Sequence, residues 1–206
     1  MNRRKAITAA TLFGACVFIP FASRAQTTEV AGVKFENTLQ VGTSRLQLNG
    51  AGVRYKAVFK VYAAGLYLPV KATTTEAVLA APGPRLLQIV MLRDIDGNEL
   101  GKLFVKGMEQ NASREDFSKS INGIVRMSDV FSSRKRLLAG ESFAIEWVPG
   151  SGTLILVNGK ASSELIKEPE FQSSLMKIWI GQSPADASLK EALLGRGKAS
   201  GGGGYN

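Results

Sequence analysis

The sequence contains no histidine, and its single cysteine is Cys16. Zinc, copper and haem sites are built mainly from imidazole and thiolate ligands, so the usual ligand sets for these metals cannot be assembled here. Ser-His-Asp and Cys-His catalysis both need an imidazole, and the composition alone excludes them. We therefore expect no metal site and no cofactor, and any chemistry must come from other side chains.

The first 25 residues combine a basic start, an apolar middle and an end of small residues. Arg3–Lys5 precedes an uncharged, mostly apolar run over Ala6–Ala22, and Ser23–Ala25 then places small residues where a signal peptidase reads them. A helix that spans a bilayer needs roughly 20 predominantly apolar residues, whereas this run is shorter and contains Pro20. We expect residues 1–25 to be a removable signal peptide and the mature protein to be periplasmic or secreted, with Sec and twin-arginine export both open.

Part of the basic excess of the chain belongs to that segment. The formal net charge is +9, and removal of the segment takes away four basic residues and no acid, which leaves +5. A charge of this size favours anionic partners only weakly, and the basic run Arg134–Arg136 is interpreted as a solvated helix end. We expect no nucleic-acid partner, no stable membrane insertion after signal cleavage, and a monomer.

Alternation of apolar and polar residues predicts several strands. Val53–Leu68 is the most strand-like part of the chain, but its length exceeds the usual 3–10 residues of a strand. We therefore expect a turn near Tyr55–Val58 and a second strand over Phe59–Leu68. The near-continuous apolar run Arg85–Arg93 predicts a central strand covered on both faces. A shorter strand before these is expected to end at Asn49–Gly52.

Helical spacing and turn signals organise the rest of the chain. The alternating strands 142–148 and 153–157 are followed by Asn158-Gly159, which is a strong hairpin signal. Ser183–Asp186 is interpreted as a cap followed by a proline at the first helical position. The segments predicted to be helical are 73–80, 100–111, 113–130, 171–180 and a last one ending at Gly195. Thr74 or Thr75 is a candidate cap of the first of these helices, and Ser113 of the third. This order predicts one α+β domain over 26–195 and a disordered glycine-rich tail over 196–206.

Three stretches resemble the chalcone isomerase fold. They are Asn49–Arg54, Lys60–Leu68 and Ile178–Lys190, and their order and spacing are similar to those of the bacterial chalcone isomerase-like group over Val30–Gly195. The resemblance implies an open-faced β-sandwich, in which a large antiparallel sheet carries a layer of helices on one face. It also implies a ligand cleft between the sheet and those helices.

The same resemblance bears on function. Plant members of the family close a flavanone ring, while non-catalytic relatives bind fatty acids and hold the carboxylate with an arginine and a tyrosine. Arg54 falls where the family has its cleft arginine, and Tyr62 replaces the first threonine of the plant enzyme. Asp96–Leu100 stands in place of the catalytic tyrosine, and Ile178 in place of a late hydroxyl residue. Since three of four polar groups are replaced, the resemblance implies binding rather than isomerase activity.

Arg54 and Tyr62 can serve one ligand only if the chain turns between them. Eight residues of straight strand would separate them by about 26 Å. With the turn in place, the guanidinium can give a carboxylate two hydrogen bonds and the phenol a third. The hypothesis is an exported, non-enzymatic protein that holds a fatty acid or other small apolar carboxylate through Arg54 and Tyr62.

Two alternatives stay open at this point. One is an intramolecular lyase or isomerase of the chalcone isomerase type, in which Arg54 stabilises an oxyanion and Tyr62 relays a proton. The other is a periplasmic interaction partner with no ligand, in which the two residues are ordinary parts of a strand. Arg93 is a second candidate cation, which we expect to be held in a salt bridge to a nearby acid. Trp147 and Trp179 are interpreted as core residues.

Overall fold

The structure is a computed structural model, and it describes residues 26–197. The predicted signal peptide, residues 1–25, lies outside the described residues. Of the predicted tail only Arg196 and Gly197 are described, and the backbone N–H groups of both donate to the carbonyl oxygen of Glu191.

The described chain follows the predicted order of strands and helices, except that the single helix predicted over 113–130 is divided into two at Ser120. The strands are β1 Thr27–Val30, β2 Val33–Glu36, β3 Thr38–Val41, β4 Ser44–Lys56, β5 Phe59–Leu68, β6 Arg85–Met91, β7 Ile95–Asp96, β8 Arg136–Leu137, β9 Ser142–Val148, β10 Gly152–Val157 and β11 Lys160–Ala161. The helices are α1 Thr75–Ala80, α2 Gly97–Asn111, α3 Arg114–Lys119, α4 Ile121–Ser132, α5 Pro169–Ile180 and α6 Ala187–Leu193.

A seven-stranded antiparallel sheet forms the centre of the fold. Its strand order is β11-β10-β9-β6-β5-β4-β3, so β6 lies centrally as predicted. One face of the sheet packs against the helices, and the small β1–β2 hairpin packs on the opposite face near β4. The predicted α+β class, a large antiparallel sheet with helices on one face, is confirmed.

The two faces of β6 differ in burial. Leu87, Ile89 and Met91 point towards the helices and are buried, whereas Leu86 and Val90 on the opposite face are half-buried. The predicted cover on both faces is therefore complete on the helix-bearing face and only partial on the other. The strand is apolar throughout because its outer face still contacts the smaller apolar cluster under the β1–β2 hairpin.

The β4–β5 hairpin contains both candidate ligand residues. β4 ends at Lys56, Ala57 has a positive φ of 54°, and β5 begins at Phe59. The predicted turn between the two strands is confirmed. β5, the second strand of the hairpin, has ten residues, of which Val61 to Leu68 are buried.

The predicted end of a strand at Asn49–Gly52 is wrong, because β4 continues through these residues with a bulge just before Gly50. The small residues serve a close contact with α6. A Cβ atom on Gly50 would collide with the carbonyl oxygen of Ala192, and the Asn49 side chain donates to the carbonyl oxygen of Leu193 at 2.7 Å. Local sequence shows the need for small residues, but the partner that requires them lies far along the chain.

Two of the predicted helix caps are found in the structure, and a third is not. Thr74 and Ser113 cap α1 and α3 as expected from their side-chain oxygens. α6 does not begin at Ser183–Asp186, because Asp186 itself is the capping residue and accepts from the backbone N–H of Leu189. The residues before Asp186 form a loop that borders the cleft described below.

The main core lies between the sheet and the helices. Four aromatic rings from Phe104, Phe131, Phe143 and Trp179 pack edge to face or tilted, with centroids 5.3 to 5.7 Å apart. Such edge-to-face contacts add about 0.5–1.5 kcal/mol per pair beyond area burial. Within residues 26–197, no helix is long and apolar enough to cross a membrane.

Candidate ligand-binding cleft

Arg54 and Tyr62 are brought together by the β4–β5 hairpin. They are directly opposite each other in the strand register, next to a bulge at Val61 in β5. The ζ carbon of Arg54 lies 5.5 Å from the centroid of the Tyr62 ring, within the range of a cation–π contact. The turn on which the sequence argument depended therefore places both groups at one point.

A cleft of about 270 Å³ opens beside this pair. Its floor is formed by β4 and β5, one wall by α2, and the other wall by the end of α5 and the loop before α6. The lining residues are Arg54, Tyr62, Leu100, Leu103, Phe104, Lys106, Gly107, Gln110, Ile178, Ser183, Pro184 and Ala185. The cleft thus lies between the sheet and the helices, with apolar walls and a polar rim.

Tyr62 presents a buried hydroxyl group to this region. The side chain is 1% exposed, and its oxygen accepts a hydrogen bond of 2.8 Å from Trp179 Nε1. An indole N–H can only donate, so this bond uses a lone pair of the phenol and leaves the phenol hydrogen free to donate elsewhere. Trp179 therefore holds Tyr62 as a hydrogen-bond donor.

The protonation state of Tyr62 fits this role. Burial raises the pKa of the Tyr62 phenol to about 12, although Arg54 and the bond from Trp179 act in the opposite direction. Burial wins because the ionised phenolate would lose its hydration. At neutral pH the group is protonated, and it can donate a hydrogen bond but cannot serve as a base.

Arg54 is a half-buried cation with unused donors. Its Nε atom is buried and has no hydrogen-bond partner, and no carboxylate in residues 26–197 lies within salt-bridge distance of its guanidinium. An unsatisfied buried donor costs about 1–3 kcal/mol, and more when the group is charged. This cost is offset only if an acceptor reaches the atom.

Asp186 is an acid whose charge acts on Tyr62. Its charge contributes to the raised pKa of Tyr62. Its two oxygens accept from the backbone N–H groups of Tyr55, at 2.8 Å, and Leu189, at 2.9 Å. Asp186 therefore ties the start of α6 to the bulge beside Arg54, and its carboxylate is already occupied.

The arrangement suits a small molecule with an anionic head and an apolar body. The two groups at the floor are both hydrogen-bond donors, and one is positively charged. Leu100, Leu103 and Ile178 supply apolar walls, and Lys106 and Gln110 lie at the rim. Phe104 lines the cleft and packs against Trp179, the hydrogen-bond partner of Tyr62. Within residues 26–197, no group of three or more acidic, histidine or cysteine side chains gathers in a way that could hold a metal.

Sequence reasoning missed the roles of three residues here. Trp179 is a core residue as expected, but it also fixes the orientation of the Tyr62 hydroxyl. Lys106 and Gln110 reach the same rim because they are four residues apart on α2. Their helical spacing was visible in the sequence, but nothing local indicated which side of the helix faces a cleft.

Other sequence expectations about polar groups turn out differently. Arg93 makes no salt bridge in the described part of the chain, and its guanidinium lies 5.2 Å from the ring centroid of Phe59. Asp96 caps α2, with its side chain accepting from the backbone N–H of Glu99. Ile178 lines the cleft as a wall.

The chain matches the model of the chalcone isomerase-like family over residues 27–195. It belongs to this family. Among solved structures, the chalcone isomerase-like domain resembles a fatty-acid binding protein from Arabidopsis thaliana, with a TM-score of 0.65 and 14% identity over 82% of this chain and 96% of that one. At this identity the likeness shows the fold alone. No curated protein matches the chain.

Proposed function

We propose that this chalcone isomerase-like protein is an exported, non-enzymatic binding protein that holds a fatty acid or other small apolar carboxylate in its cleft. The observation that carries the proposal is the pairing at the cleft floor of Arg54, which has no carboxylate partner among the described residues, with Tyr62, whose hydroxyl hydrogen is not used by Trp179. A carboxylate offers acceptor oxygens and a negative charge to both groups. The Arabidopsis thaliana protein of the same fold is a fatty-acid binding protein, which supports this ligand class.

The size of the cleft limits the ligand. The cleft volume of about 270 Å³ lies just below the 300–1,000 Å³ that is common for ligand pockets. This suits an acid of about eight carbons better than a long-chain fatty acid, whose tail would have to displace Phe104 or Trp179 from the aromatic core. The expected order of affinity is therefore octanoate above palmitate.

Calorimetric titration of the mature protein tests the proposal. Octanoate should bind, and octanol, which has the same tail without the charge, should bind much more weakly. Arg54→Ala should lower the octanoate affinity about 10- to 100-fold, because charge-assisted hydrogen bonds contribute about 1.5–3 kcal/mol. Arg45→Ala is the matched control, since Arg45 is an exposed arginine on the same strand. Equal affinity for octanoate and octanol would contradict the proposal.

The same two donors would also stabilise an oxyanion that develops during ring closure, so the lyase alternative is assayed in parallel. Turnover of a chalcone that disappears in Tyr62→Phe would favour an enzyme. Mass spectrometry of a solvent extract of the purified protein would identify a co-purified acid. An empty extract together with no titration signal would favour an interaction partner without a ligand.

Export is the part of the proposal that rests on the sequence alone. If residues 1–25 are a signal peptide, the protein recovered from the periplasm or medium should begin after Ala25. Mass spectrometry of the intact recovered protein measures this directly. A full-length chain found only in the cytoplasm would contradict it.

A further inference from the structure

The tip of the β4–β5 hairpin exposes apolar side chains to solvent. Val58 is 83% exposed, Phe59 is 59% exposed and Tyr55 is 43% exposed. Val58 is the most exposed large hydrophobic residue in 26–197. Three such residues in five consecutive positions form a convex apolar tip, which is unusual on a water-soluble surface.

Basic residues surround this tip. Lys56 and Lys60 flank it in sequence and are exposed, and Arg93 lies against the ring of Phe59. Arg136 lies 3.6 Å from Asp94, the residue after Arg93, and Lys135 precedes Arg136 in sequence. We call this set the basic tip: Tyr55, Lys56, Val58, Phe59, Lys60, Arg93, Lys135 and Arg136.

The acids near the basic tip are already engaged. Asp94 accepts from the backbone N–H of Ala139 and lies 3.6 Å from Arg136. Asp96 caps α2, and Glu99 lies 3.8 Å from Lys56. Asp186 is also near, since it accepts from the backbone N–H of Tyr55 and that of Leu189. Five basic groups therefore face four acids, and Lys60 and Arg93 have no salt-bridge partner among the described residues.

The shape and charge of the basic tip fit an anionic lipid surface. A stable protein interface buries about 800 Å² on each partner, which is far more than a hairpin tip offers. A bilayer interface instead accepts a few apolar side chains at the boundary of the acyl chains. Lysine stems lie along that apolar boundary while their ammonium groups remain among the phosphates. Anionic lipids add a favourable contribution for each Lys or Arg near the surface.

We propose that the basic tip docks the protein on anionic membranes, with Val58 and Phe59 entering the interface and Lys56, Lys60 and Arg93 contacting lipid phosphates. The docked hairpin is the same one that carries the cleft. Arg54 lines both the cleft and an adjoining hollow that contains Lys56 and Arg93. Docking would thus bring the cleft close to the membrane surface, into which apolar acids partition. This consequence rests on the proposed function, but the docking proposal is independent of it.

Vesicle sedimentation with the mature protein tests this docking. The vesicles contain equal parts phosphatidylglycerol and phosphatidylcholine, or phosphatidylcholine alone. Binding is expected to the anionic vesicles at low salt, and to weaken at high salt as the charges are screened. Val58→Ser should weaken binding about tenfold by removing an inserted apolar group. Lys56→Glu with Lys60→Glu should weaken it by at least about 25-fold.

Matched controls come from the opposite end of the sheet. Val70 is also exposed, at 64%, and lies just beyond the other end of β5, so Val70→Ser should leave binding unchanged. Lys71→Glu with Lys167→Glu changes the net charge by the same amount as the tip double variant and should have little effect. Equal losses in tip and control variants, or no binding to anionic vesicles, would overturn the proposal. So would equal binding to neutral vesicles.

Two further measurements separate this proposal from the ligand proposal. Arg54→Ala should weaken octanoate binding and leave vesicle binding unchanged. Val58→Ser should weaken vesicle binding and leave octanoate binding unchanged. Crosslinking of the tip to a protein in cell extracts, together with absence of vesicle binding, would show that the basic tip serves a protein partner instead. In that case the lipid proposal fails and the cleft proposal is unaffected.

Discussion

Two tyrosines on one strand show what separates a binding group from a core residue. Tyr62 and Tyr67 both lie on β5, both are buried, and they point to opposite faces of the sheet. Tyr62 receives a hydrogen bond from Trp179 and lies beside Arg54 at a cleft. The Tyr67 hydroxyl is buried without a hydrogen-bond partner, among the apolar residues under the β1–β2 hairpin.

The comparison shows that burial alone does not define a site. Burial raises the pKa of both phenols; the charge of Glu36 adds to this rise for Tyr67, whereas Arg54 and the indole of Trp179 oppose it for Tyr62. What distinguishes Tyr62 is the combination of a fixed donor direction, a neighbouring cation and open space. These three features come from α5, β4 and α2, so the helix-bearing face of the sheet creates the site.

The largest expected effect is a loss of stability on removing Trp179, the hydrogen-bond partner that Tyr62 has and Tyr67 lacks. Trp179→Ala should lower the free energy of unfolding by about 3–5 kcal/mol, because it removes a fully buried aromatic side chain from the core. Trp147→Ala is the control, since Trp147 is half-buried with its ring against Arg85. Urea titration measures both, and similar losses in the two variants would contradict the central position given to Trp179.

The next effect is the pH dependence of stability. The folded pKa of Tyr62 is about 12, above the unfolded value of about 10, so its contribution is fully present below pH 10. As pH rises from about 10 to 12, only the unfolded state releases the proton, and stability falls by up to about 2–3 kcal/mol. Unfolding midpoints measured through this window should be less pH-dependent in Tyr62→Phe. An unchanged slope in that variant would show that Tyr62 titrates normally.

The smallest effect separates the two hydroxyl groups directly. Tyr62→Phe should cost about 1–2 kcal/mol, because the indole N–H of Trp179 is left buried without an acceptor. Tyr67→Phe should be neutral or slightly stabilising, because the hydroxyl it removes has no partner. The octanoate affinity measured by titration should also fall in Tyr62→Phe and stay constant in Tyr67→Phe. Equal behaviour of the pair would show that the cleft does not use the Tyr62 hydroxyl.

Features with local causes were predictable from the sequence. The β4–β5 turn, the caps at Thr74 and Ser113 and the hairpin turn at Asn158-Gly159 all depend on residues within a few positions of one another. The overall class also followed, because the order of strands and helices restricts how they can form layers. The pairing of Arg54 with Tyr62 was predictable in the same way, since a hairpin turn aligns residues on its two strands.

Features with distant causes were not predictable. The course of β4 through Asn49–Gly52 depends on α6, whose backbone comes so close that only small residues fit. The position of Arg93 over Phe59 depends on the pairing of β5 and β6. Sequence patterns show what each residue type tends to do, but they do not specify which distant surface it meets.

By itself, the sequence determined that this protein has no imidazole chemistry, an antiparallel sheet with helices, and an arginine and a tyrosine that a hairpin would bring together. Only the tertiary structure decided that Trp179, 117 residues after Tyr62, holds that tyrosine as a donor, and that a cleft opens beside it. Hydrogen bonds and packing between elements far apart in the chain depend on the relative placement of α5, α2 and the sheet, and that placement has no local signal in the sequence.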